Sequence, residues 1–315
     1  MTHVSVRRGL LYVTVAATIW GTGGPAAAVL YQVSGLGPVA VSFWRFVFGA
    51  AVMFAAARVL RLALPRPLRG TVALAGCGLA ISQAAYFGAV AETGVAMATV
   101  ITLGASPALV AVGARLALAE RLSRTGAVGM GLAVAGLFLL TGDLTTVSVT
   151  GVGLSLVSAV AYAAVTLLPR ASARRRDSSS PAPTGSDLAG SGAEGWATAM
   201  WGFAVGGLLL FPVAAVEGLA PSGGHAATVA LLGYLGVMPT AVAYGLFFTG
   251  LSAVQATTAS VVALLEPAGA TAIGVLLLGE RLSATSAAGA AVLLGSVALL
   301  AFGESRQVGG AGTSG

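Results

Sequence analysis

The hydrophobic and polar positions divide the chain into long apolar runs with short polar punctuation. Ten runs stand out, at residues of about 9–31, 37–57, 71–90, 95–117, 126–141, 152–168, 196–216, 228–250, 254–278 and 284–302. Each approaches the roughly 20 apolar residues that a transmembrane helix needs, the fifth and sixth being shorter. The expected fold is all-α and integral to the membrane, with ten transmembrane helices. Ala, Gly and Val dominate the runs, and small residues let helices approach closely. The polar stretch at about 170–194, RASARRRDSSSPAPTGSDLAGSGAE, reads as a flexible cytoplasmic linker. Residues 304–315 read as a disordered C-terminal tail.

The pattern repeats. LALAERLSRTGAVG (116–129) follows the fourth run, and LLLGERLSATSAAG (276–289) follows the ninth. The match extends back to Pro107 and Pro267 and forward to two small-residue ridges, Ala127/Gly131/Ala135 and Ala287/Ala291/Gly295. AYFG at Ala85 and AYGL at Ala243 also correspond. The chain is therefore five spans and then five more, at about 9–141 and 150–303. Five is odd, so the second half enters the membrane inverted. Inverted repeats with broken or proline-bearing helices near the midplane are a feature of secondary transporters.

Charge fixes the orientation. If ten spans alternate, every arginine except Arg45 and Arg281 falls on one side. Positive charge stays cytoplasmic, so both termini are expected inside and the chain in the cell membrane. Only 8% of residues are charged and mean hydropathy is +0.94, too little charge to cover a soluble surface. The net charge of +6 follows from topology, and nucleic acid is not an expected partner. All sixteen basic residues are arginines, which excludes a Walker A lysine and any Schiff-base chemistry. With two histidines and one cysteine, no His/Cys zinc set forms. No metal and no cofactor are expected.

The residues ATIWGTGG at Ala17, SFWRFVFGA at Ser42, GVAMATVITLGASPALVAVGARLALAERLS from Gly94 and ASVVALLEPAGATAIGVLLLGERLS from Ala259 resemble the EamA-type transporters of the drug/metabolite transporter superfamily. The resemblance covers nearly the whole chain. It departs in the long 170–194 segment and in the seventh span, which matches the second weakly and lacks a counterpart of Arg45. The resemblance implies a ten-helix carrier with a central cavity that moves amino acids or other small metabolites without ATP.

Glu266, in LLEPAGA, is the sharpest candidate. A carboxylate at membrane depth costs several kcal/mol unless it is paired, hydrated or protonated. It is either a proton-coupling or substrate-amine site, or a structural acid bonded to nearby backbone. Its repeat counterpart, Ser106, is neutral. Arg45, in FWRF, either binds a substrate carboxylate, pairs with Glu266, or snorkels to the nearer interface. Thr99, Thr102 and Ser106 share a face of the fourth span by their spacing, and Gln255, Thr258 and Glu266 a face of the ninth. Trp20, Tyr86, Tyr162 and Tyr244 are candidate aromatic walls, with packing as the alternative for each. Gly23, Gly24, Pro107 and Pro267 are expected helix breaks. Glu120 and Glu280 read as structural caps, and Glu92, Asp143 and Glu217 as solvated loop acids.

The expected function is secondary active transport of small metabolites, amino acids or related compounds, by alternating access and in the export direction. The alternatives are a proton-coupled exporter of drugs or organic cations and, less favoured, an integral membrane enzyme. The membrane spans hold a single acid, whereas such enzymes need clustered Asp, His or Lys. The expected partners are the lipid bilayer, a small-molecule substrate and protons, with a homodimer left open.

Overall fold

The computed structural model describes residues 5–59, 61, 69–119, 123–141, 148–177, 187–278 and 283–311. Among the described residues the regular structure is helical throughout: α1 (Val6–Ser34), α2 (Pro38–Val59), α3 (Arg69–Leu118), α4 (Arg124–Thr141), α5 (Val149–Asp177), α6 (Asp187–Glu217), α7 (His225–Leu235), a π-helical segment (Gly236–Val242), α8 (Ala243–Leu251), α9 (Ala256–Val262), α10 (Leu265–Leu278) and α11 (Ala284–Ala311). Eight stretches are long and apolar enough to cross a membrane, and Arg124–Leu140 and Ala284–Leu299 are shorter apolar helices. Together they are the ten spans expected.

The third and fourth spans both lie within α3, which is 50 residues long but not straight. The hydroxyls of Tyr86 and Thr99, 13 residues apart in sequence, are 2.8 Å from each other. A straight helix would separate them by about 20 Å. The chain therefore doubles back between the limbs Gly70–Thr93 and Met97–Leu118. The eighth span runs from α7 through the π segment into α8. Pro239 lies inside that segment and supplies no backbone donor, and the Thr240 hydroxyl donates to the Leu235 carbonyl at 2.7 Å. The ninth span is divided into α9 and α10. At the join, Leu264 N–H and Glu266 N–H donate to the Val261 and Ala263 carbonyls, each at 3.0 Å, tight turns that interrupt the regular ladder.

The contacts of the two halves exchange. Along α1, Val13 meets Gly250, Trp20 meets Phe247 and Pro239, and Thr22 meets Tyr234. The partner numbers fall as α1 rises, so α1 is antiparallel to the eighth span. It is parallel to the ninth, because Gly9 meets Val254 and Gly21 meets Glu266 and Ala270. The first helix of the second half, α5, repeats the relation with the first half. It is antiparallel to the first limb of α3 (Gly151 to Thr93, Leu154 to Gly88, Ser158 to Ser82) and parallel to the second (Ser155 to Thr102, Leu167 to Gly113). The self-paired elements α2 with α6 and α4 with α11 close the arrangement. This is a two-fold relation between halves of five spans, hence an inverted repeat.

Several expectations are corrected. The expected break at Gly23 and Gly24 is absent: α1 continues through both and through Pro25. Pro107 lies within the second limb of α3 without interrupting it, while Pro267 occupies the first turn of α10, where its missing N–H costs little. The small-residue ridges do not join α4 to α11. Ala127, Gly131, Ala135, Ala287, Ala291 and Gly295 are exposed, and the contact runs through Gly136, Leu140, Gly289 and Leu293. The spacing was right for a ridge, but each helix carries a second small-residue face, and that face is the one that packs. α5 and α6 extend to Asp177 and from Asp187 into the expected linker, leaving 178–186 outside the described residues. α11 runs to Ala311, well into the expected tail. Glu92 and Glu217 are exposed, as expected of solvated acids, but lie in helices and not loops; Glu92 accepts from the Ser148 hydroxyl at 3.1 Å and Glu217 from a backbone N–H. Asp143, Glu120 and Glu280 lie outside the described residues.

Candidate functional site

The site is built where α1 crosses α10. Gly21 allows it: a β-carbon there would lie 2.8 Å from the Glu266 carbonyl oxygen and 3.0 Å from the Ala270 nitrogen, contacts with backbone that cannot yield. The crossing sets Trp20, the residue before Gly21, near the interrupted ninth span. Trp20 is buried, and its indole N–H donates to the Pro239 carbonyl of the π segment at 2.8 Å. Its ring lies 5.0 Å from Tyr244 and 5.1 Å from Phe247, and Tyr244 stands edge-on to Phe203 at 4.8 Å. The π segment thus delivers Tyr244 to an aromatic cluster drawn from α1, α6 and α8.

Glu266 sits in the first turn of α10, partly exposed among the packed helices. Its charge lies within electrostatic reach of Tyr86, Tyr162, Tyr244 and Arg45. Arg45 comes from α2 and is in turn within reach of Tyr31 and Tyr244. Its Nε is buried without a hydrogen-bond partner. Among the described residues no ion pair joins Arg45 to Glu266. Arg45 thus acts on Glu266 through space, without a direct ion pair among the described residues. In the other half, MWGF at Met200 aligns with FWRF at Phe43 and puts Gly202 in the place of Arg45. A β-carbon at Gly202 would already lie 3.2 Å from Ala75 and Leu79, so a side chain there would have to displace these neighbours. The charged site is one-sided for a packing reason.

The polar stripes are drawn apart. Tyr86 and Thr99 bond to each other. The Thr102 hydroxyl donates to the Ser155 carbonyl at 3.3 Å and the Ser106 hydroxyl to the Thr102 carbonyl at 2.6 Å, so both are engaged with backbone. Thr258 is buried in α9 and Gln255 precedes its first residue as N-cap. The interruption at Ala263–Leu264 ends the helical register that would have put them on one face with Glu266, and Gln255 lies roughly 15 Å along the span from it. Tyr31 and Phe203 were not among the sequence candidates. The MWGF/FWRF match marks Phe203, which packs on its equivalent Phe46 at 5.1 Å. No sequence signal marks Tyr31.

The Trp20–Pro239 bond supports a direct prediction. In Trp20→Phe the ring contacts are largely kept while the buried Pro239 carbonyl loses its donor, a loss of about 1–3 kcal/mol. A thermal-unfolding scan in detergent checks it. An unchanged midpoint would mean that the carbonyl is satisfied otherwise.

A ten-span inverted repeat is an architecture found among membrane transporters. The profile of the EamA-like transporter family matches residues 7–142 and 149–302, and the chain belongs to that family. It is 28% identical over 303 residues to the uncharacterized transporter YwfM of Bacillus subtilis (strain 168), covering 94% of this chain and 95% of the relative. It is 28% identical over 301 residues to an uncharacterized transporter of Archaeoglobus fulgidus, covering 95% and 98%. A solved protein crystal structure superposes with a TM-score of 0.74 over 93% of this chain and 97% of its own, at 19% identity, and shares the fold.

Proposed function

We propose that the protein is a secondary transporter of amino acids or related small metabolites that carry both an amine and a carboxylate. It works in the cell membrane with both termini in the cytoplasm, in the export direction. The observation that carries this reading is the unpaired arrangement of Arg45 and Glu266 beside Trp20, Tyr86 and Tyr244. Arg45 is half-buried with its Nε left without a hydrogen-bond partner, and a substrate carboxylate would satisfy it through charge-assisted bonds. Glu266 would take the amine, or the proton that exchanges for it. The distribution of arginines supports the sidedness.

Proteoliposomes holding the purified protein test the reading. Amino acids, organic acids and lipophilic cations are compared, with wild type and Arg45→Gln. Amino-acid flux is expected in the wild type. Arg45→Gln should raise the half-saturating amino-acid concentration by at least about tenfold, the loss of one charge-assisted bond. Flux confined to lipophilic cations and indifferent to Arg45 would instead make this an organic-cation exporter.

A further inference from the structure

The end of the bundle where α1 meets α2 is closed by two layers. Below lies an apolar plug of Leu30, Leu36, Val41, Ala214, Leu232 and Leu235, all buried. Above it, the α1–α2 corner is tied to the chain between α6 and α7. Ser222 donates to the Ser34 carbonyl from both its backbone N–H and its hydroxyl, at 2.8 and 3.0 Å. The Trp44 indole donates to the Leu219 carbonyl at 3.1 Å. Glu217, the last residue of α6, places Oε2 2.6 Å from the Ala40 N–H.

That last contact has a specific chemistry. Ala40 is in the first turn of α2, whose N–H groups have no partner within the helix. A carboxylate satisfies one of them and also meets the positive end of the helix dipole. Glu217 therefore caps a helix 177 residues away. The fit requires Gly37, where a β-carbon would overlap the Glu217 carboxyl. Tyr31 lies within electrostatic reach of both Glu217 and Arg45, connecting the cap to the site. Among the described residues no equivalent contact is found at the opposite end. The FWRF/MWGF match sets Ala197 in the place of Ala40, and Ala197 is well inside α6, which begins at Asp187. There is no helix start there for an acid to cap.

We propose that Glu217 on the N-terminus of α2 is a one-sided latch that holds this mouth of the transport path shut, so that the carrier rests closed at this end. The inference rests on the alternating-access reading. Opening this mouth requires Glu217 to leave α2, and its release favours the alternate state.

The test uses full-length protein in sealed vesicles, with Cys77→Ser and a reporter Gln83→Cys. Gln83 accepts from the Ser42 hydroxyl at 3.4 Å, roughly half a turn of α2 below the latch. A membrane-impermeant maleimide is applied from each side separately. Glu217→Ala should speed labelling from the α1–α2 side by about fivefold, the effect of losing one exposed charge-assisted bond. Ser222→Ala, which removes only the hydroxyl, should give a smaller increase in the same direction. Faster labelling from the side of the N-terminus, the end opposite the α1–α2 corner, would overturn the latch. Unchanged labelling from both sides in both variants, with unaltered thermal midpoints, would overturn the latch and leave the transporter reading intact. Loss of folding in Glu217→Ala would pass the decision to Ser222→Ala.

Discussion

Glu266→Gln is expected to abolish gradient-driven accumulation of substrate while leaving exchange intact. Glutamine keeps the size and a polar head but can neither carry nor release a proton. The expectation treats Glu266 as the proton carrier of the proposed transport. Glu266 lies in the first turn of α10 beside a break, within electrostatic reach of three tyrosines, and has no ion pair with Arg45 among the described residues. Its backbone is fixed by the Gly21 crossing, so the substitution leaves the join in place. A pH gradient of one unit is about 1.4 kcal/mol per proton and sustains about tenfold accumulation for one-to-one coupling. Wild-type vesicles should reach that ratio and Glu266→Gln should remain near unity. Counterflow of labelled against unlabelled substrate, which needs no net proton movement, should persist in both. Equal gradient-driven accumulation in the two proteins would make Glu266 a structural acid.

Much of the fold is legible in the sequence because the bilayer enforces it. Backbone groups in lipid must bond within their own helix, so an apolar run of sufficient length becomes a span, and the arginines order the spans. The repeated ERLS boxes then disclose the inversion through simple parity. What escapes is local and depends on neighbours. Gly23 and Gly24 look like a break, yet neither loses a hydrogen bond by being glycine, and α1 passes straight through them. Pro267 marks the ninth span for a break, but the interruption falls at Ala263–Leu264, just upstream, and leaves Pro267 in the first turn of α10. The candidate site is half legible for the same reason. Rarity singles out Glu266 and Arg45, since charge in a span is expensive. Hydroxyl stripes carry no such signal, because Thr and Ser serve equally well as partners of their own backbone, as Ser106 does. Glu217 was legible as an acid at a span end, but its partner lies on a distant helix start that only the packing of α2 on α6 brings near.

The packing of α4 on α11 gives the second large effect, and it separates sequence spacing from observed contact. Helices in lipid gain little from burying apolar surface against each other, so their association depends on close van der Waals packing. At Gly289 a β-carbon would meet the Leu140 nitrogen, and would lie 2.7 Å from both the Gly136 oxygen and the Leu139 carbonyl carbon. All three are backbone atoms, and relief requires the helices to separate. Gly295, by contrast, has nothing within 4 Å of its β-position and belongs to the exposed ridge. Gly289→Val should therefore destabilise the protein by about 3 kcal/mol or more, the upper range for overpacking, while Gly295→Val should change little. Both substitutions add the same β-branched side chain to the same helix, so propensity cancels between them. Fluorescence-detected size exclusion after heating would show a lowered midpoint for Gly289→Val alone. The reverse result would mean that α4 and α11 meet through the Ala127/Gly131/Ala135 and Ala287/Ala291/Gly295 ridges after all, and that the order of these two helices about the two-fold is different.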